Sequence, residues 1–328
     1  MPLEGEPMTT KERLFALLEA RQGSFVSGEE LAGSLHLSRA AVSKAMKALR
    51  QDGYAIEAIT NRGYRLSGDC DILSAQGIKK YLNQDFQITF TPSVGSTNTV
   101  LRSLAEQGAP EGTVVIAGEQ TVGRGRMGRS FYSPAGSGIY LSLLLRPVNA
   151  DPRQTVTLTA AAAAALCQAM EAVSGERPQI KWVNDIFLNG KKVSGILTEA
   201  AFGLESGAPE YVVVGVGINA CEPEGGFPPE LKEIAGSLWD KPVPDGKNQL
   251  TAGFLNRFWQ LYAAGDPAAF LEDYRRRSLV VGKDITFIAA GRETPAHAVG
   301  IDESCRLVVR YENGETAALS YGEVRIKV

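Results

Sequence analysis

The chain has 328 residues, 44% of them hydrophobic and 22% charged, a balance that predicts a globular protein of two or three domains with a sizeable core. Its formal net charge of −3 provides no general affinity for polyanions, so any nucleic-acid contact must come from a local patch. Cys70, Cys167, Cys221 and Cys305 are far apart and His36 and His297 are the only histidines, which disfavours a disulfide framework, a zinc site or Cys–His catalysis; the apolar stretches read as too short for a membrane span and Met1 to Thr10 has no signal-peptide core, so a cytoplasmic protein is expected.

Residues 9 to 66 read as three helices and a short hairpin. Thr10 can cap a first helix with an apolar stripe of Leu14, Leu17 and Leu18, Ser27-Gly28-Glu29-Glu30 resembles a capping box that opens a second, through Leu31, and Ser38 caps a third. The short turn Ser34-Leu35-His36-Leu37 has the length of a helix-turn-helix connection. In the third helix Ala41, Val42, Ala45 and Leu49 fall inward, leaving Arg39, Ala40, Ser43, Lys44 and Lys47 outward with no acidic residue from Ser38 to Arg50. Such a face suits a phosphate-lined groove, with Arg39, Ser43 and Lys44 against base edges and Lys47 and Arg50 near the backbone. Asn61-Arg62-Gly63-Tyr64-Arg65 would form the tip and return strand of a wing. The alternative is a helical interaction module with a solvated basic face.

After a polar linker from Ser67 to Asp71, β-rich runs occur at Phe86 to Thr91, Val114 to Gly118, Ile139 to Leu145, Gln179 to Trp182, Val193 to Thr198 and Tyr211 to Ile218, alternating with helical patterns up to about residue 277. Asn189-Gly190 predicts a tight turn joining Ile186-Phe187-Leu188 to the Val193 run, so part of the sheet is antiparallel. An alanine-rich helix from about Gln154 to Ala172 packs on it. The expectation is an α+β domain with a mixed sheet.

Between the second and third runs lies Gly123-Arg124-Gly125-Arg126-Met127-Gly128-Arg129. Its glycines let backbone N–H groups approach a phosphate and its arginines offer bidentate forks, the composition of a polyanion clamp. The letters also fit G-x-G-x-x-G and, through Ser130, all but one position of a P-loop. Both motifs require a helix directly afterwards, whereas Phe131-Tyr132-Ser133-Pro134-Ala135-Gly136-Ser137-Gly138 breaks any helix and leads into a strand. A solvated basic loop is the other alternative. From about Ser278 to Val328, short strands with turns at Ala290-Gly291, Asp302-Glu303 and Asn313-Gly314 predict a small SH3-like β-barrel.

Five segments, Gly95-Ser96-Thr97-Asn98, Glu119 to Arg129, Lys181-Trp182-Val183-Asn184-Asp185, Lys192-Val193-Ser194-Gly195-Ile196-Leu197 and Gly215-Val216-Gly217-Ile218-Asn219, resemble in this order the motifs of biotin protein ligases. With the helix-turn-helix in front, the chain is similar to the bifunctional form that is also the biotin operon repressor. Val183 replaces the proline usual in K-W-P-N-D, and Phe131 stands where many members carry tryptophan. The resemblance implies a winged helix-turn-helix domain over 1–68, a class II synthetase-like catalytic domain over 69–277 and an SH3-like domain over 278–328. It also implies a two-step reaction: biotin and ATP, with Mg2+, form biotinyl-5'-adenylate and pyrophosphate, and a lysine of a biotin carrier protein, such as the acetyl-CoA carboxylase carrier subunit, then takes the biotinyl group. Operator DNA and a ligand-promoted homodimer are the other implied partners, with no membrane.

Site residues follow from the same resemblance. Ser96, Thr97, Asn98 and Gln120 would contact the ureido group and rings of biotin, while Gly123, Gly125, Gly195 and Gly217 let backbone approach the ligand. Arg124 and Arg126 would order the loop over the adenylate, and Lys192 would reach the acyl oxygen and the phosphate. Arg129, Lys181, Asn184, Asp185 and Asn219 would serve the nucleotide, Asp185 binding Mg2+ or orienting the α-phosphate. Alternatives stand beside several of these: helix caps for Ser96 and Thr97, turn residues for Asp185 and Asn219, a surface lysine for Lys181. The chemistry is coherent, since two anions must be brought together by fixed positive charge, and an acyl-adenylate is activated enough to need positioning rather than a dedicated base. Gly123 to Gly138 and Cys221 to Trp239 are the candidate loops for ordering by adenylate. Two readings from other classes are a lipoate or octanoate transferase and a ligand-sensing repressor without ligase activity.

Overall fold

The computed structural model describes residues 9–21, 23–51, 54, 56–67, 71–147, 154–202, 209–289 and 291–326. The described residues up to Tyr81, with Pro242–Gln249, form one unit, and Leu82–Lys241 with the described residues from Leu250 onward form a second.

In the first unit the local cap chemistry sets the helices. Helix α1 spans Thr10–Ala20, α2 Gly28–Leu35 and α3 Arg39–Gln51. Ser27 Oγ accepts the Glu30 N–H at 3.0 Å and Ser38 Oγ accepts the Ala41 N–H at 3.1 Å, each satisfying a backbone donor that the helix leaves unpaired. Thr10 lies inside α1 rather than capping it. Between α2 and α3 the chain turns through His36 in the left-handed region, φ 54°. Leu14, Leu18, Leu31, Val42 and Leu49 are buried together with Met46, which sequence reasoning did not place, whereas Ala41 is only half-buried. Strands β1 (Ile56–Ile59) and β2 (Gly63–Leu66) form an antiparallel hairpin.

The short helix α4 (Ala75–Lys79) and residues 242–249 complete this unit. Asn248 accepts the Ser74 N–H at 3.0 Å and donates to the Ile72 carbonyl and to Asp245, both at 2.7 Å. Asp71, expected to end a polar linker, is instead buried and paired with Lys247 at 3.5 Å. The linker positions Gly68 to Cys70 lie outside the described residues.

The second unit is built on a seven-stranded sheet, order β3-β4-β5-β9-β8-β7-β6. Its strands are β3 (Gln87–Thr91), β4 (Thr113–Ala117), β5 (Gly138–Leu145), β6 (Gln179–Lys181), β7 (Asp185–Leu188), β8 (Lys191–Phe202) and β9 (Pro209–Asn219). Among the described strands of this sheet only β3 and β4 pair in parallel, joined by the crossover helix α5 (Thr97–Glu106), so the expected mixed sheet is present. Asn189 and Gly190, at φ 50° and 78°, make the tight β7–β8 turn. Every residue of β5 is buried, as expected for a central strand.

Helix α6 (Gln154–Ser174) packs on β8, with Ala160 to Ala165 all buried. Contrary to expectation, its stretch Thr155–Ser174 is long and apolar enough to span a bilayer, mean hydropathy 1.5; 61% of the window is buried within the fold, as in the core helix of a globular domain. Helices α7 (Gly246–Ala264) and α8 (Ala268–Arg276) follow. Strands β10 (Asp284–Ala289), β11 (Arg292–Ile301), β12 (Leu307–Arg310), β13 (Thr316–Leu319) and β14 (Glu323–Ile326) make an antiparallel sheet of order β13-β12-β11-β10-β14. Among the described residues no pairing joins its edges, β13 and β14, so it is an open sheet where a closed barrel was expected. Ala290, from one expected turn, lies outside the described residues.

Candidate functional site

The glycine and arginine segment folds on itself. The Gly125 N–H donates to the Arg129 carbonyl at 2.7 Å and the Phe131 N–H to the Gly123 carbonyl at 2.9 Å, around a 3-10 turn at Arg126–Gly128. The next regular element is β5, so the helix that either phosphate-loop motif requires does not follow.

Two adjoining cavities meet at this segment. The first, about 460 Å³ with its mouth, is lined by Ser96, Thr97, Asn98, Gln120, Arg124, Gly125, Arg126, Lys192, Gly195 and Gly217, together with Phe131, Asn184, Ile196, Leu197, Gly215 and Val216. Ten of the expected biotin contacts therefore share one wall system, and Gly123 lines the second cavity instead. The second cavity, about 2400 Å³ including open space, takes in Arg129, Lys181, Asp185 and Asn219 and shares Gln120, Phe131 and Lys192 with the first. Its lining also includes Phe227, Leu231 and Ile234, from the segment that pairs with Lys192 through the Lys192 N–H to Ile234 carbonyl bond of 2.8 Å.

A hydrogen-bonded polar wall supports the first cavity. Ser96 occupies the N-cap position of α5 without a side-chain cap bond, while Thr97 donates from its N–H (2.9 Å) and hydroxyl (3.1 Å) to Gln120 Oε1. Gln120 Nε2 donates to Ser133 Oγ at 3.0 Å. Ser142, fully buried on β5, donates to Asn98 Oδ1 at 2.6 Å and lies 2.8 Å from Thr97 Oγ1. Two close approaches need glycine: a methyl carbon at position 215 would sit 2.0 Å from Asn98 Oδ1, and one at 217 would sit 2.5 Å from the Phe131 ring.

The cations are not equivalent. Arg124 pairs with Glu199 at 3.1 Å, and Arg129, 65% exposed, forms a bidentate pair with Glu323 at 2.8 and 2.6 Å. Among the described residues the acceptors of Arg126 are neutral, Asn184 Oδ1 at 2.9 Å and the Gly322 carbonyl at 3.1 Å, and burial pulls its guanidinium below the ordinary arginine value. Burial likewise lowers the Lys181 ammonium. Lys192 Nζ lies 2.6 Å from Asp185 Oδ1, which also accepts from Asn184 Nδ2 at 3.0 Å. Asn219 donates to the Gly236 carbonyl at 2.9 Å and lines the larger cavity. Among the described residues no three His, Cys, Asp or Glu side chains gather as a preformed metal cage.

On α3, Arg39, Ala40, Ser43, Lys44 and Lys47 are exposed, as is Arg62 at the hairpin tip. Arg39 pairs with Glu29 at 2.6 Å, and Arg50 donates to the Ile56 carbonyl at 2.7 Å. The Arg62 and Arg65 guanidinium carbons lie 4.5 and 4.6 Å from the Phe25 ring centroid.

Gly215 on the wall, and Glu199, Ser142 and Ser133, which hold wall residues by hydrogen bonds, were not assigned by sequence reasoning. Gly215 stood inside a quoted motif, so its spacing from Gly217 was a usable signal. Glu199 and Ser142 make their contacts from strands of the folded sheet and Ser133 from the loop before β5, none with a local signature.

Residues 90–219 match the biotin/lipoate A/B protein ligase family, residues 10–65 an HTH domain and residues 280–326 the biotin protein ligase C terminal domain. The fold resembles that of the biotin protein ligase from Aquifex aeolicus in complex with biotin and ATP, with a TM-score of 0.59 and 24% identity over 74% of this chain and 98% of that one. The class defined by these parts is a biotin/lipoate-type protein ligase preceded by an HTH domain. The bifunctional ligase/repressor BirA of Bacillus spizizenii is 40% identical over 233 residues, 70% of this chain and 71% of the relative, and that of Escherichia coli (strain K12) is 32% identical over 330, covering 97% and 98%. The chain belongs to the family of bifunctional ligase/repressors of the BirA type.

Proposed function

We propose that the protein joins biotin to ATP as biotinyl-5'-adenylate, releases pyrophosphate, and transfers the biotinyl group to a lysine of a biotin carrier protein. The observation that carries this reading is Arg126, a half-buried guanidinium whose hydrogen bonds among the described residues go to neutral oxygens, on the wall of a small polar-and-apolar cavity that opens beside a larger one. A desolvated cation of this kind favours an incoming anion, and the carboxylate and α-phosphate oxygens that meet there are anionic.

The wall formed by Ser96, Thr97, Asn98 and Gln120 suits the ureido head of biotin, with the Phe131 ring as apolar cover. Lys192, shared by both cavities, reaches the acyl oxygen and the phosphate once Asp185 yields it. Arg124 orders the loop, while Arg129, Lys181, Asn184 and Asn219 serve the nucleotide. The donor set also suits Mg2+: among the described residues the side-chain contacts of Asp185 with Lys192 and Asn184 fall on Oδ1, so Oδ2 would be the atom to hold a hard cation together with substrate phosphate. Bound there, Mg2+ would supply charge neutralisation of the polyphosphate. In the second step the carrier lysine attacks the acyl carbon and AMP leaves; the chain's residues position this step, and no protein nucleophile is needed.

The same protein reads operator DNA through α3 and Arg62 and represses biotin synthesis genes as a ligand-promoted homodimer in the cytoplasm, without a membrane partner. In this reading residues 1–68 are a winged helix-turn-helix domain, 69–277 the class II synthetase-like ligase domain and 278–328 an SH3-like domain. Incubation of the purified protein with biotin and α-labelled ATP, without carrier, should yield labelled biotinyl-AMP. Labelled lipoyl- or octanoyl-AMP in its place, or no adenylate at all, would overturn the ligase reading. Sedimentation should show dimers strengthened by biotinyl-AMP; a monomer at every ligand concentration would remove the dimeric repressor.

A further inference from the structure

Glu199 lies behind the small cavity rather than on its wall. Its neighbour Thr198 meets Thr159 of α6 at 2.7 Å, so the pleat of β8 sends Glu199 to the opposite face of the sheet, where α5 lies. There Glu199 Oε2 accepts from Asn98 Nδ2 at 2.8 Å and from Arg124 Nη1 at 3.3 Å, while Oε1 faces Arg124 Nη2 at 3.1 Å and Arg102 Nη1 at 3.6 Å. One carboxylate thus grips α5 at two positions a turn apart and spans the fork of a loop arginine.

The consequence falls on Asn98. A primary amide has two N–H donors and one acceptor oxygen with two lone pairs. Both donors are consumed, by Glu199 Oε2 at 2.8 Å and the Leu197 carbonyl at 3.3 Å, and the oxygen takes the Ser142 hydroxyl at 2.6 Å. One lone pair on Oδ1 is the remaining hydrogen-bonding capacity. Rotating the amide by 180° would turn that oxygen towards a carboxylate and a carbonyl, acceptor against acceptor in a buried site.

We infer that Glu199 is a positioning residue that fixes the Asn98 amide as an acceptor, so that the pocket selects a ligand carrying an N–H at that wall. This rests on the biotin reading above. The ureido ring of biotin has such an N–H, whereas the dithiolane of lipoate and the chain of octanoate do not, so the arrangement contributes to discrimination among small carboxylic acids that share the same fold of enzyme. Glutamine at 199 has one acceptor oxygen to share between two donors, and its own NH2 confronts either the Asn98 amide or Arg124.

Glu199→Gln should raise the KM for biotin in adenylate formation about tenfold, leave the KM for ATP within about twofold, and leave the thermal unfolding midpoint unchanged. The doubly substituted Asn98→Ala/Glu199→Gln protein should have a biotin KM within about twofold of Asn98→Ala alone, because the effect travels through Asn98. A wild-type biotin KM in Glu199→Gln, an equal rise in both KM values, or additive effects in the double variant would overturn the inference. Should Glu199→Gln fail to fold, Ser142→Ala holds the other end of the same amide and should likewise raise the KM for biotin alone; no rise would count against it equally. Wild-type protein that forms no biotinyl-AMP would instead remove the biotin reading itself.

Discussion

Residue 215 shows how little room the site leaves. Alanine there would place its methyl carbon 2.0 Å from Asn98 Oδ1, so either β9 or the amide must move, at a cost of about 1–3 kcal/mol for overpacking in a well-filled interior. Gly215→Ala should therefore weaken biotin binding by roughly tenfold or more in calorimetry while the protein stays folded. Arg126 fails for a different reason. Its fork reaches two acceptors, Asn184 and Gly322, that a single ammonium cannot hold in the same plane, so both Arg126→Ala and Arg126→Lys should lower single-turnover adenylate formation by about a hundredfold. Arg126→Lys with wild-type rates would show that charge alone suffices. At this scale the sequence exposed residues that sit in contiguous motifs, Ser96 to Asn98 and Gly123 to Arg129, but not Glu199 or Ser142. Their bonds to Asn98 cross 101 and 44 positions of chain, distances at which no local pattern survives.

Elements were legible in proportion to how local their determinants are. Ser27 and Ser38 cap helices through bonds three residues long, and Asn189-Gly190 makes its turn by backbone conformation alone, so both features could be read directly. The closure of the C-terminal strands depends on pairing between segments that share no turn, and the expected barrel is an open sheet in the described residues. Helices α7 and α8 were not individually anticipated. The amphipathic signal of α7 is diluted because it buries Leu250, Phe254, Leu255 and Phe258 while also burying Lys247, Asn248 and Thr251. Helix α3 yields a test of its own. Lys44 is exposed with no acidic residue on its helix, so Lys44→Ala should weaken operator binding and reduce the salt dependence of log K by about one phosphate contact. Arg39 is paired with Glu29, so Glu29→Ala should tighten DNA binding by releasing it. Unchanged affinity in both variants, measured by fluorescence anisotropy across salt, would move the nucleic-acid face off α3.

Across the whole molecule the two units carry titrating carboxyls of opposite sign. In the second unit burial alone would raise Asp273, but hydrogen bonds from Gln168, Arg277 and Arg276 outweigh it and hold the carboxyl below its ordinary value of 3.8. A depressed acid contributes stability that is present above its unfolded value and lost as pH falls through the folded one, so this contribution disappears below about pH 3.8. In the first unit burial raises Glu19 and Asp71 above their ordinary values of 4.5 and 3.8, despite Lys80 and Lys247. A raised acid works the other way: its contribution is full below the unfolded value and is lost as pH rises through the folded one. Trp182, Trp239 and Trp259 all belong to the second unit, so tryptophan fluorescence reports that unit selectively. The urea midpoint followed by tryptophan emission should fall as pH drops from 5 towards about 3, and Asp273→Asn should flatten that fall. Glu19→Gln should leave the tryptophan midpoint unchanged and raise the stability of the first unit above about pH 5, followed by helical circular dichroism. An acid-independent tryptophan midpoint in the wild-type protein would mean that the Asp273 cluster persists in the unfolded chain or contributes nothing to folding.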